Sequence, residues 1–366
     1  MNPESSTLSA MRGRGTTYNP QIRFEALRWE AFDDEWAHVE DSFGEERERR
    51  IPTQYFRDNT KTALARNSSP DIGFTYDLNP YRGCEHGCIY CYARPTHEYL
   101  GFSSGLDFET KIMVKENIAA LLEKEFQKPS WKPQVVMLSG NTDCYQPIER
   151  RLQLTRKCLE VFLKYRNPVG MITKNALVLR DVDLLSELAR LNLVSVTLSV
   201  TTLDRNLGRK MEPRTSSPEH RLMAIEGLAK AGVRVGVNVA PVIPGLNDEE
   251  IPAILSAAKE RGATGAGFTV VRLPYAVKDL FVEWIKREFP ERAERVLHRI
   301  REVRSGNLND PNFGSRMRGN GEIAETIAQL FKVAKRKLGF NKPHEPLSTS
   351  QFRVLTNQFE LFEMQL

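Results

Sequence analysis

Residues 83–91 read Gly-Cys-Glu-His-Gly-Cys-Ile-Tyr-Cys, and this stretch decides how the rest of the chain is interpreted. It holds three of the five cysteines, Cys84, Cys88 and Cys91, on one short loop. A disulfide framework uses an even, dispersed set of cysteines, so the clustering indicates a metal centre in a reducing compartment. Three thiolates can hold three irons of a cubane cluster and leave the fourth iron open for chemistry.

A zinc site is the main alternative for this loop. A Cys₃His site could recruit His86 or His97, and the protein would then be a structural zinc protein that binds nucleic acid. Zinc ligands usually come as pairs on two separated knuckles, whereas these cysteines share one loop. His86 itself is expected to face solvent.

The chain after residue 76 alternates short apolar runs with segments of helical spacing, the pattern of βα units. Five strands are predicted after the cysteine loop: Val135–Leu138, Val169–Thr173, Val194–Val200, Val233–Val239 and Gly267–Val271. Helical segments are predicted near 118–126, 148–165, 181–191, 217–231 and 248–261, with further helices over 277–304 and 323–338. With the strand that precedes the cysteine loop there are six, and six parallel strands fit either an open doubly wound sheet or an incomplete barrel.

The loop resembles the C-x₃-C-x-aromatic-C signature of the radical S-adenosylmethionine (SAM) superfamily, with Tyr90 as the aromatic residue. This resemblance implies an α/β fold, a partial (β/α)₆ TIM-type barrel, with a [4Fe–4S] cluster and SAM as cofactors. The expected domains are an N-terminal extension over 1–70, the core barrel over 71–275, and a C-terminal helical cap over 276–366.

The same resemblance implies roles for residues that follow the strands, where parallel-barrel sites lie. Tyr90 would lie against the adenine of SAM, and Gly140 and Asn141 would contact its methionine amine. Lys174 would meet the methionine carboxylate, unless it is an exposed loop lysine.

Four more candidates follow strands four and five. Ser199 and Thr201 would bond the ribose or satisfy backbone groups. Arg214 would clamp a carboxylate of the cofactor or pair with Glu212 or another acid. Asn238 precedes a proline–glycine turn that resembles one found near the adenine in radical enzymes.

Three short motifs resemble the spore photoproduct lyase branch of the superfamily: residues 79–83, 173–174 and 212–214. That branch implies a nucleic-acid substrate. Its cysteine hydrogen-atom donor has no counterpart before Asp143, so Cys144 is the candidate catalytic donor, against the commoner fate of a buried thiol. A radical enzyme acting on a small molecule or a protein is the alternative.

Charge and hydropathy limit which kinds of partner can be expected. The formal net charge of +5 is compatible with a polyanionic substrate. No apolar stretch reaches the length of a membrane span, so a cytoplasmic protein with no membrane partner is expected. The resemblance also implies a flavodoxin or ferredoxin as electron donor.

Overall fold

The computed structural model describes residues 11, 13–24 and 51–354. Its strands are β1 (Gln54–Arg57), β2 (Leu64–Arg66), β3 (Tyr76–Leu78), β4 (Tyr81–Arg82), β5 (Lys111–Val114), β6 (Val136–Leu138), β7 (Val169–Thr173), β8 (Val194–Ser199), β9 (Arg234–Val242) and β10 (Gly265–Val270). Its helices are α1 (Leu106–Thr110), α2 (Ile118–Phe126), α3 (Glu149–Leu152), α4 (Leu154–Tyr165), α5 (Val182–Arg190), α6 (Arg205–Met211), α7 (Pro218–Lys230), α8 (Ile251–Glu260), α9 (Val277–Glu288), α10 (Pro290–Glu302), α11 (Ser315–Arg318) and α12 (Gly321–Lys337).

The main sheet runs in the order β10-β9-β8-β7-β6-β3-β2. Six of its strands, β3 and β6 to β10, are parallel, and β2 adds an antiparallel edge to β3. The predicted six-unit α/β fold is therefore confirmed, as an open sheet whose strands β10 and β2 form the two edges. A second sheet, β1-β5-β4, was not predicted.

Strand alternation separates the two faces of the sheet. In β8, Val194, Val196 and Leu198 are buried in the main hydrophobic core, whereas Ser195 and Thr197 are half-buried. Because successive side chains point to opposite faces, one face packs on the helices and the other faces the concave side of the sheet. A functional site is expected where the carboxyl ends of these strands meet.

Helix boundaries follow the predicted signals. The Ser217 hydroxyl caps α7 by accepting from the His220 N–H, Pro218 begins the helix, and Gly232 follows it with φ +77°. The long predicted helices are divided at Gln153, which has φ +54°, and at Pro290.

The Gly-rich segment 313–321 lies between the two edges of the sheet. Arg316 pairs with Asp71, which follows β2, and Arg318 donates to the Phe268 carbonyl of β10 at 2.8 Å. The buried guanidinium of Arg304 donates to the Val270 and Val271 carbonyls at the end of β10. Arg304 and Arg318 thus satisfy carbonyls of β10, which pairs only with β9 among the described strands. Within the described residues, no helix is long and apolar enough to cross a membrane.

Candidate active site at the cysteine loop

The cysteine loop follows β4 and turns at two glycines, Gly83 and Gly87, whose φ values are +78° and +66°. Cys84 and Cys88 are buried and Cys91 is half-buried, and none of the three is in a disulfide. Burial raises the pKa of the Cys84 thiol well above its ordinary value, and the neighbouring Asp143, Cys88 and Cys91 raise it further. The Cys84 thiol is therefore protonated until a metal is bound, and metal binding releases its proton.

The donor set, three thiols on one short loop, fits a cubane cluster. A structural zinc ion takes four ligands around one point. Within the described part of the chain, no group of three or more His, Cys, Asp or Glu side chains is arranged to hold a single metal ion. A cubane spreads its ligands over three irons, so three thiols on one loop suit it without converging on one point.

The segment 211–214 braces this loop from the other side of the site. The Ile89 N–H donates to the Met211 carbonyl at 3.0 Å, and the Arg214 N–H donates to the His86 carbonyl at 3.2 Å. Two backbone hydrogen bonds thus fix the middle of the cysteine loop to the end of α6.

Glu212 gathers several partners beneath the loop. It is buried, pairs with the Arg221 guanidinium, and accepts from the Tyr90 hydroxyl and from Thr201 Oγ1, the last at 2.5 Å. Burial alone would raise its pKa, but Arg221 and Lys174 hold the pKa below its ordinary value. The ionised Glu212 therefore fixes the Tyr90 ring that the signature requires.

Lys174 lies close to these groups. Its Nζ is 5.9 Å from the centre of the Tyr90 ring. Burial would lower its pKa, but the nearby Cys88 and Glu212 raise it above the ordinary value. Lys174 is thus a charged ammonium group beside the cysteine loop, in contrast to the exposed-lysine alternative.

Asp143 joins the loop to strand β7. Its carboxylate contacts His86 Nδ1 at 3.4 Å and accepts from the Thr173 hydroxyl at 2.7 Å and the Lys174 N–H at 2.8 Å. Burial opposes ionisation, but His86 and these donors lower its pKa to about 2. The expectation that His86 faces solvent is wrong, because the ring is buried between Asp143 and Asn175.

The predicted turn after β6 is also near the loop. The Tyr92 hydroxyl donates to the Gly140 carbonyl at 2.8 Å, and the Asn141 N–H donates to Asn79 Oδ1 at 2.9 Å. A side chain at Gly140 would approach Asp77 to 2.9 Å, so only glycine fits against that carboxylate.

The remaining cofactor candidates lie at the ends of β8 and β9. Ser199 and Asn238 stand opposite each other in the parallel register. The Ser199 carbonyl accepts a hydrogen bond from Arg221. Two residues later, the Thr201 hydroxyl donates a hydrogen bond to Glu212. Five of the predicted residues, Tyr90, Lys174, Ser199, Thr201 and Asn238, are thus linked through one network and one strand pairing.

Two further predicted residues have protein partners of their own. Arg214 pairs with the buried Glu85 of the cysteine loop at 3.2 Å, which is the pairing with another acid that the sequence left open. Cys144 has no exposed surface and packs in the main core, as Cys158 does. Its burial favours core packing over a role as hydrogen-atom donor.

Residues 13–24 cover the cysteine loop, and sequence reasoning missed this. The Glu109 carboxylate accepts from the Gly15 and Thr16 N–H groups and from Arg94, while Arg94 Nε donates to the Cys88 carbonyl at 3.0 Å. A Cβ at Gly15 would lie 1.8 Å from the Gly87 carbonyl oxygen. The Arg-Gly-Arg-Gly run at 12–15 was the available signal, because such close backbone approach requires glycine.

Comparison with known proteins agrees with this geometry. The family model described as the Radical SAM superfamily matches residues 78–258. An uncharacterized protein of Mycobacterium tuberculosis is 38% identical over 279 residues, covering 75% of this chain and 78% of the relative. An uncharacterized protein of Methanocaldococcus jannaschii is 32% identical over 178 residues, covering 49% of this chain and 64% of the relative.

Solved structures give the same fold. Spore photoproduct lyase complexed with dinucleoside spore photoproduct superimposes with a TM-score of 0.57 at 18% identity, covering 78% of this chain and 79% of the lyase. Members of the superfamily use a [4Fe–4S] cluster and SAM. Together with the cysteine signature and the six parallel strands, these matches show that the chain belongs to the radical SAM superfamily.

Proposed function

We propose that Cys84, Cys88 and Cys91 hold the [4Fe–4S] cluster and that the enzyme abstracts hydrogen from a nucleic-acid substrate. The observation that carries the first half is the braced loop, in which three free thiols are tied to segment 211–214 and to Asp143. These cysteines would hold a cluster whose chemistry, when bound and reduced, would be one-electron cleavage of the SAM sulfonium to methionine and a 5′-deoxyadenosyl radical.

The chain's own residues would bind and orient SAM. The Lys174 ammonium carries the charge needed by the methionine carboxylate, and Gly140 and Asn141 offer backbone groups for the amine. Tyr90, held by Glu212, would present its ring to the adenine, with Ser199, Thr201 and Asn238 at the ribose side. Arg214 would act through Glu85 as a positioning residue for the loop.

Exclusion of water and oxygen is the second task of these residues. Burial of Cys84 and Cys88 and the cover of residues 13–24 leave Cys91 as the most accessible ligand. A radical that is generated inside such a shielded site reacts with substrate instead of solvent.

A nucleic-acid substrate is supported by two observations. The structurally similar spore photoproduct lyase binds a dinucleoside, and the chain carries a net charge of +5. A radical enzyme acting on a small molecule or a protein is the second candidate. The electron donor would be a flavodoxin or ferredoxin, and five free thiols suit a reducing cytoplasm.

Reconstitution with iron and sulfide under anaerobic conditions tests the cluster assignment. We expect about four irons per chain, and a change in the electron paramagnetic resonance spectrum of the reduced cluster when SAM is added. The Cys88→Ser variant should lose both, whereas Cys158→Ser, which replaces a core cysteine, should retain them. A colourless zinc protein with equal metal content in both variants would overturn the assignment.

A further inference from the structure

Five exposed aromatic rings lie around the strand ends where the cysteine loop is found. We call them the aromatic rim: Phe24, Tyr92, Tyr99, Tyr275 and Phe313. Their exposed fractions run from 48% to 73%, which is high for side chains of this size. Tyr92 and Tyr99 follow the cysteine loop, Tyr275 follows β10, and Phe24 and Phe313 come from the segments that cover this end of the sheet.

One half of the rim is joined by Arg23. Its guanidinium carbon lies 3.7 Å from the centre of the Tyr275 ring and 4.9 Å from the centre of Phe24. The Phe24 and Tyr99 rings are 5.0 Å apart. Tyr275 has φ +51°, a conformation that is unfavourable for an aromatic residue and here holds its ring at the surface.

The other half is joined by Arg272 and Arg316. The Arg272 guanidinium lies 4.9 Å from the centre of the Tyr92 ring and donates to the sulfur of Met317 at 3.6 Å. Arg316 lies 4.5 Å from the centre of Phe313. Since only two residues separate Arg272 from Tyr275, the two halves form one continuous surface.

The rim carries one uncompensated cation. Arg23 pairs with Glu98 and Arg316 pairs with Asp71, but Arg272 makes no ion pair with any described residue. Burial lowers the pKa of Arg272 and outweighs the opposing influence of Tyr92; Arg316 lowers the pKa further, and Asp71 raises it least. A half-buried guanidinium without a carboxylate is costly unless an anion completes it.

We infer that the aromatic rim binds single-stranded nucleic acid, with bases stacked on its exposed rings and a backbone phosphate at Arg272. Exposed rings alternating with arginines suit unpaired bases, because each base offers a π-face and each linkage a negative charge. Base pairs in a duplex are already stacked and leave no free faces. The inference rests on the proposed function, since it names the substrate form that would reach the same site.

Fluorescence anisotropy of the anaerobic holoprotein tests the inference, using a labelled 12-nucleotide single strand and a duplex of the same sequence. We expect the single strand to bind more tightly than the duplex. Tyr275→Ala and Phe313→Ala should each weaken single-strand binding by about 5- to 100-fold. Phe56→Ala is the matched control, because Phe56 is an exposed ring on β1 that packs beside Phe102, with the ring centres 6.0 Å apart, and lies outside the aromatic rim.

Salt dependence tests the phosphate contact separately. Arg272→Gln should reduce the slope of log affinity against log salt by about 0.7. Equal affinities for single strand and duplex, or rim variants that bind like Phe56→Ala, would overturn the inference. If the wild-type protein forms 5′-deoxyadenosine but fails these binding tests, the rim inference is refuted and the radical chemistry stands. If the binding tests succeed but the wild-type protein forms no 5′-deoxyadenosine, the rim inference stands and the proposed radical chemistry is refuted.

Discussion

Replacing Glu212 by alanine is the perturbation whose cost can be worked out most fully from the structure. The change removes the partner of the buried Arg221 and the acceptor for the Tyr90 and Thr201 hydroxyls. Arg221 keeps the Ser199 carbonyl at 3.0 Å, so its hydrogen bonds are only partly lost. Its charge is left buried without a carboxylate.

Breaking a buried ion pair by removing one partner costs about 3–5 kcal/mol of unfolding free energy. A whole domain is stable by roughly 5–15 kcal/mol, so this is a large fraction. The matched control is Glu226→Ala, which removes an exposed carboxylate paired with Lys230 four residues away and should cost about 0.5 kcal/mol or less.

Urea unfolding of both variants, followed by circular dichroism in anaerobic buffer, gives the comparison. Glu212→Ala should also retain less iron after reconstitution, because the Tyr90 ring and the adjoining loop lose their anchor. Glu212→Gln should fall between wild type and Glu212→Ala, since it keeps the acceptor but not the charge. If Glu212→Ala unfolds within about 0.5 kcal/mol of Glu226→Ala, the bracing role is refuted.

Three further predictions concern pH, cover and thiol chemistry. Burial lowers the pKa of His97 from 6.5 to about 4, so the unfolded chain binds a proton that the folded state does not, and stability falls as the pH drops from 6.5 to 4. The free energy of unfolding should be roughly 2 kcal/mol lower at pH 5 than at pH 7. The His97→Phe variant should abolish this difference. Gly15→Ala should displace the covering segment and speed the bleaching of cluster absorbance in air, because its Cβ would lie 1.8 Å from the Gly87 carbonyl oxygen. The control Gly73→Ala should bleach at the wild-type rate, because its Cβ would meet no atom within 4 Å. Cys144→Ala should convert substrate at the wild-type rate, because the sulfur is buried in the main core; 5′-deoxyadenosine formed without the substrate-derived product would restore the donor role.

The parallel sheet was predictable because its strands bury one face on helices and carry regular apolar alternation. Val194, Val196 and Leu198 show this pattern, and the strand bounds differ from expectation by a few residues at most. The small sheet was not predictable. Its strands β1 and β4 are short and are held by pairing to β5, which is a long-range contact that local pattern does not encode.

The candidate site was predictable as far as local spacing reaches. Cys84, Cys88, Cys91 and Tyr90 share one short motif, so their association needs no knowledge of the fold. The partners of His86 and Arg214 could not be read in this way, because Asp143 and Glu85 are distant in sequence and are brought close only by folding. Burial of Cys144 likewise depends on how the turn after β6 packs.

Formation of 5′-deoxyadenosine tests the central claim most directly. The reconstituted protein is reduced with dithionite in the presence of SAM, and the product is quantified for wild type, Cys88→Ser and Cys158→Ser. The account predicts product from wild type and Cys158→Ser and none from Cys88→Ser. Product formation that survives the loss of Cys88, or no product from a wild-type protein with a full cluster, would contradict it.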